Sequence, residues 1–264
     1  MSASGLSLEK RGPIAYLTLS RPDRRNAIDG PLLRQLADVC EALRFDHEPR
    51  VVVLLAEGDT FCEGWDWEDL LPEGGPHNAA LSQLALHGLP GDVFGCLADL
   101  PQPVICAVHG DVLSAGFELA LACDVRIAAH DARFGFPETA LGLLPLAGGT
   151  QRLARLAGRA RALEILLTGR HLGADEALAW GAINALVPRD RLVAEAQALA
   201  GRIAQRGPLA LRYAKEALSR GAEMPLEQAL RFETDLTIIL QTTEDRAEGV
   251  RAFLEKRPPN FKGR

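Results

Sequence analysis

The chain lacks the cysteine pattern of a disulfide framework or a zinc site: Cys40, Cys62, Cys96, Cys106 and Cys123 are odd in number, scattered, and form no CxxC pair. It also lacks a basic excess. Its 29 Lys and Arg stand against 35 Asp and Glu, for a formal net charge of −6, which speaks against a dedicated nucleic-acid or anionic-membrane binder. Any anionic ligand must therefore be met locally. No apolar run approaches the ~18 residues that span a bilayer, and the opening MSASGLSLEK has no hydrophobic leader core. Neither a low-complexity linker nor a short-period repeat is present. The expectation is a cytoplasmic protein with no metal, no nucleic-acid partner and no membrane partner. What the chain does have is 264 residues, 47% of them hydrophobic and 24% charged, enough for one large domain with or without an appended element.

IAYLTLS (14–20) alternates as a strand does, and VVVLLAEG (51–58) is the β-branched run of a strand buried on both faces. Between them Asp29 stands as a helix cap before Pro31, and Leu32, Leu33, Leu36, Val39, Cys40 and Leu43 follow at helical spacing. The order recurs with VICAVHG (104–110), a helix over 114–123 and VRIAA (125–129), which predicts an α/β fold with largely parallel strands. Residues 70–93, rich in Gly and Pro, read as a mobile flap. From Gly149 three helical stretches each end at a glycine, and three amphipathic helices are expected after Asp190.

Within LSAGFELALACD (113–124) the carboxylate Glu118 sits among small and apolar residues. Such a group is exposed, paired, or kept for chemistry. With Ser114 as cap, a capping-box acid would fall at 117, where Phe117 stands instead. Glu118 is then either a first-turn acid facing the helix dipole or a reactive group. Glu138 in FGFPETALGLLP (134–145) poses the same choice, directly after Pro137 at an expected helix start. A dry pocket raises carboxyl pKa values and suits two such acids to general acid–base work. FCEGWDWEDL (61–70) and LSAGFEL (113–119) both turn through small residues, Gly64 in one and Ser114, Ala115 and Gly116 in the other. Turns of this kind present unpaired N–H groups, and two converging N–H groups make an oxyanion hole.

These stretches, with LTLSRPDRRNAID (17–29), PLAGGTQRLARLAG (145–158), LLTGRHLGADEALAWGAINALV (166–187) and the closing FLEKRPPNF (253–261), resemble the crotonase (enoyl-CoA hydratase/isomerase) family from about Ile14 to Lys262. The resemblance implies a spiral of repeated ββα units over 1–189 and a C-terminal helical region, 190–264, used for trimerisation, commonly as a dimer of trimers. It also implies an acyl-coenzyme A thioester substrate, with coenzyme A part of the substrate and no separate cofactor. Carried over by residue, the backbone N–H groups of Trp65 and Ala115 hold the thioester oxygen, Glu118 activates water, and Glu138 serves the α-carbon proton. Arg25, Ala27, Asp66 and Trp67 fall where the coenzyme A moiety is met, and Lys256 falls on a phosphate contact often supplied by a neighbouring subunit.

The chain departs from the pattern at five places, one of them Glu63, which stands before the oxyanion-loop glycine where an alanine is typical. Trp65 replaces a small residue, so its indole must border the acyl pocket or turn toward the 70–93 flap. Glu68 replaces a frequent lysine, Ser114-Ala115-Gly116 replaces a triple glycine, and Leu146 replaces a glycine near the catalytic water. Retention of both glutamates favours a 2-enoyl-CoA hydratase over an isomerase, which needs one proton-shuttling carboxylate. Thioester hydrolase and decarboxylase chemistry share the oxyanion hole, and a scaffold or RNA-binding homologue is disfavoured by the acidic balance.

Overall fold

The computed structural model describes residues 5–70 and 94–264. A six-stranded sheet runs in the order β1-β2-β3-β4-β6-β9: Leu6–Arg11, Ile14–Leu19, Val51–Ala56, Val104–Val108, Val125–Ala129 and Ala185–Val187. The pairs from β2 onward are parallel, and β1 joins antiparallel through the turn at Gly12. A smaller sheet holds β5 (Asp111–Leu113), β7 (Arg133–Gly135) and β8 (Leu172–Gly173). The sequence pattern had not marked β1, β9 or this second sheet.

The β-branched run in β3 is buried on both faces, as its pattern implies. Val51 and Val53 face one cluster, with Tyr16, Ile105 and Ile127, while Val52 and Leu54 face the larger one. Alternation along each strand divides the core in two. The first cluster is closed by the helix Leu192–Ala204, whose Ala196, Ala200 and Ala204 repeat at four-residue spacing and let the helix lie close on the sheet. The larger cluster is closed by the helix Gly30–Arg44, which buries Leu32, Leu36, Cys40 and Leu43. Asp29 caps that helix as expected, accepting from Leu32 N–H at 2.9 Å. The helix Ala115–Leu121 is buried along its whole length.

Three expectations need correction or fall outside the structure. Four helices follow Asp190, not three: Leu192–Ala204, Pro208–Gly221, Leu226–Gln241 and Glu244–Glu255. The last was hidden because EDRAEGVRAFLE buries little besides Asp245 and Ala252. Glu138 opens a 3-10 turn, Pro137–Leu141, that stops at the left-handed Gly142 before an α-helix can form. The flap expected over 70–93 lies outside the described residues except for Leu70, which ends the short helix Trp67–Leu70.

Candidate active site

The two turns singled out in the sequence are stitched to each other. Cys62 bridges Val112 in parallel register, with Cys62 N–H donating to Asp111 O at 3.1 Å and Leu113 N–H donating to Cys62 O at 3.0 Å. Glycine makes the approach possible. A Cβ on Gly116 would stand 2.5 Å from Cys62 O, and one on Gly64, whose φ is +123°, would stand 2.4 Å from Ser114 Cβ. Ser114 itself holds φ 51°, a conformation that costs a non-glycine residue roughly 1–3 kcal/mol and that concentrates at functional sites.

This stitching leaves two N–H groups over. In the bridge between Ile28 and Trp65, Ile28 N–H donates to Gly64 O and Asp66 N–H donates to Ile28 O, so Trp65 N–H points the other way. Ala115 opens its helix and has no intrahelical acceptor. Among the described residues neither N–H donates to any protein acceptor.

Glu118, on that same helix, is fully buried. Its Oε1 accepts from Ala147 N–H at 2.7 Å and Gly149 N–H at 2.8 Å, and its Oε2 meets no protein partner. Burial pushes its pKa up most strongly, the two N–H bonds and the nearby Arg152 pull it down, the charge of Glu138 adds to the rise, and the net value is about 7. Arg152 Nη1 donates to Ala147 O at 2.8 Å and so steadies the loop that holds Glu118. Glu138 is also fully buried, with neither carboxyl oxygen hydrogen-bonded. Burial raises its pKa too. The Ser114 hydroxyl lies near enough to oppose that rise, yet outside hydrogen-bond geometry.

Buried polar atoms in folded proteins are paired almost without exception. Here, among the described residues, Trp65 Nε1, Ser114 Oγ, Glu118 Oε2 and both oxygens of Glu138 are all unpaired, beside two unpaired N–H groups of the same turns. Such a cluster is built for a polar ligand that supplies the missing partners.

On the rim, the bridge at Ile28 brings Arg25, Ala27, Asp66 and Trp67 together, and Glu63 N–H donates to Arg25 O at 3.1 Å. Arg25 contacts Asp111 at 2.7 Å and Glu63 at 2.5 Å, while Asp66 pairs with Arg24. Lys256 is exposed in a left-handed turn at the end of the last helix, and among the described residues nothing links it to this rim. Trp65 turns its ring inward, 3% exposed and stacked on Phe94 with centroids 6.1 Å apart. The sequence reading missed the roles of Ala147, Gly149 and Arg152. The paired glycines of LAGGT were the available signal.

The sequence model of the enoyl-CoA hydratase/isomerase family matches residues 9–264. The chain belongs to that family. Its relatives within the family include the 2,3-dehydroadipyl-CoA hydratase of Escherichia coli (strain K12), 39% identical over 99% of this chain and 100% of that one. The crotonyl-CoA hydratase of Syntrophomonas wolfei is 36% identical over 99% of both chains. Among solved structures, an enoyl-CoA hydratase from Bacillus anthracis superposes with a TM-score of 0.93 at 37% identity, covering 98% of this chain and all of that one. The fold is the family's crotonase fold, with its C-terminal helical region, and the expectation carried by the sequence motifs holds.

Proposed function

We propose that the protein hydrates 2-enoyl-CoA thioesters, and that the observation carrying this reading is the pair of buried acids, Glu118 with one oxygen and Glu138 with both oxygens unpaired among the described residues, beside two N–H groups likewise unpaired. An isomerase needs one such carboxyl. Full-length relatives named as hydratases support the choice.

The thioester oxygen takes the N–H groups of Trp65 and Ala115, each worth about 3–4 kcal/mol to the transition state in comparable sites. Glu118 receives a proton from water as the water oxygen bonds to Cβ. The π electrons move to the thioester oxygen as an enolate, and Glu138 then delivers a proton to Cα. Water has been added across the double bond, and one proton has crossed from the Glu138 side to the Glu118 side. Like charges in a dry site disfavour ionisation of both acids, so the pair titrates as a unit.

The coenzyme A moiety lies along Arg25, Ala27, Asp66 and Trp67 in this reading, with Lys256 reaching it from a neighbouring subunit of a trimer or dimer of trimers in the cytoplasm. No helix among the described residues is long and apolar enough to cross a membrane. The test is incubation with crotonyl-CoA in ¹⁸O-labelled water. Loss of enoyl absorbance with one labelled oxygen in the product is expected, whereas double-bond migration without label would establish an isomerase instead.

A further inference from the structure

One polar atom of the site has no part in hydration. Trp65 Nε1–H is buried and meets no acceptor among the described residues, although its ring is fixed by stacking on the fully buried Phe94, the planes 13° apart. A buried indole N–H nearly always finds a partner. Packed against protein, its edge would find a carbonyl. Among the described residues it finds none, and it belongs to the residue whose backbone N–H is the donor assigned to the thioester oxygen, which sets it beside the acyl site. The other unpaired atoms are accounted for: the carboxyl oxygens move protons, and Ser114 Oγ stands beside Glu138.

We propose that Trp65 Nε1–H is a specificity-determining donor, and that the acyl group of the natural substrate carries an oxygen acceptor remote from the thioester. This rests on the hydratase reading and narrows it to a substrate class. An apolar chain would leave the N–H unpaired in a dry pocket, and a site built around a hydrogen bond discriminates against the analogue that lacks it. The indole is uncharged, so it selects for an acceptor and not for charge. Stacking on Phe94 holds the donor in place before substrate arrives.

The test compares three thioesters of one chain length: 2-hexenoyl-CoA, 2,3-dehydroadipyl-CoA with its distal carboxylate, and the distal methyl ester of the latter. The wild type should show kcat/KM at least ~10-fold higher for both oxygenated substrates than for hexenoyl-CoA. In Trp65→Phe the backbone N–H stays and the indole N–H is lost, so that ratio should fall to within ~3-fold of unity. Replacing Trp65 by 3-benzothienylalanine preserves shape and removes only the N–H, and should give the same collapse. Equal handling of hexenoyl-CoA by the wild type overturns the proposal and leaves the hydratase reading intact. So does a preference that survives both replacements, or one confined to the carboxylate, which would assign selection to a cation elsewhere. Failure to hydrate any of the three would remove the hydratase reading and this inference with it.

Discussion

Gly149 N–H donates to Glu118 Oε1 at 2.8 Å, and a Cβ on Gly149 would stand only 3.0 Å from that oxygen and 2.6 Å from Phe136 Cζ. The glycine is therefore both donor and clearance. Gly149→Ala must shift either the Phe136 ring or the carboxylate. Overpacking of this kind costs about 1–3 kcal/mol, and a misplacement near 1 Å costs about 100-fold in rate. Thermal unfolding together with kcat should show a small loss of stability beside a large loss of turnover. A kcat within twofold of wild type would mean that the position of Glu118 does not limit the reaction.

The two acids should be separately indispensable. On the proposed mechanism Glu118→Gln removes the water-activating base and Glu138→Gln removes the proton source for Cα, so each should lower kcat by at least ~100-fold. Substrate binding, followed by calorimetry with a non-reactive saturated acyl-CoA, should survive in both. Near-normal hydration by Glu118→Gln would mean that Glu118 is not the group that activates water, and would overturn the two-acid mechanism.

Burying Glu118 also makes stability depend on pH. Its folded pKa, about 7, lies above the unfolded value near 4.5, so between those values the native state holds more protons and stability falls as pH rises. The cost is absent below pH 4.5 and complete above pH 7, amounting to about 3 kcal/mol at 1.36 kcal/mol per unit. Glu118→Gln keeps an acceptor for the Ala147 and Gly149 N–H groups and sheds the charge. It should melt higher than wild type at pH 8, with the difference shrinking toward pH 5. A gap independent of pH would show that the folded carboxyl is not shifted.

Much of this arrangement was legible in the sequence, because periodicity and capping are local. The two-faced burial of Val51–Leu54 and the Asp29 cap follow from neighbours a few residues apart. The missed pieces depend on distant partners. β1 shows one buried and five exposed residues, the signature of an edge strand recognised only once β2 is beside it. The second sheet is built from strands of two and three residues, too short to carry a pattern. For the site, the motifs picked out Glu118, Glu138 and the two turns. What holds Glu118 came from residues 29 and 31 positions away. The inward stacking of Trp65 required Phe94, on the far side of the segment read as a flap.

Assembly carries the last prediction. The helices after Ala204 leave Leu218, Leu226 and Phe253 between 74% and 83% exposed, apolar surface of the kind that marks an interface, and light scattering at micromolar concentration should report a trimer or hexamer. Lys256 sharpens the test. Among the described residues no contact ties it to the Arg25–Asp66 rim of its own chain, and in the proposed reading it meets coenzyme A phosphate on a neighbour. Lys256→Ala should raise KM by about 3- to 10-fold, the scale of one exposed charge-assisted contact, and the effect should weaken as salt rises. In an assembly-defective variant such as Leu218→Arg with Phe253→Arg, the added Lys256→Ala substitution should change KM no further. If Lys256→Ala has its full effect in a protein that light scattering shows to be monomeric, the lysine serves its own chain. If the wild type is itself a stable monomer, the shared site is wrong.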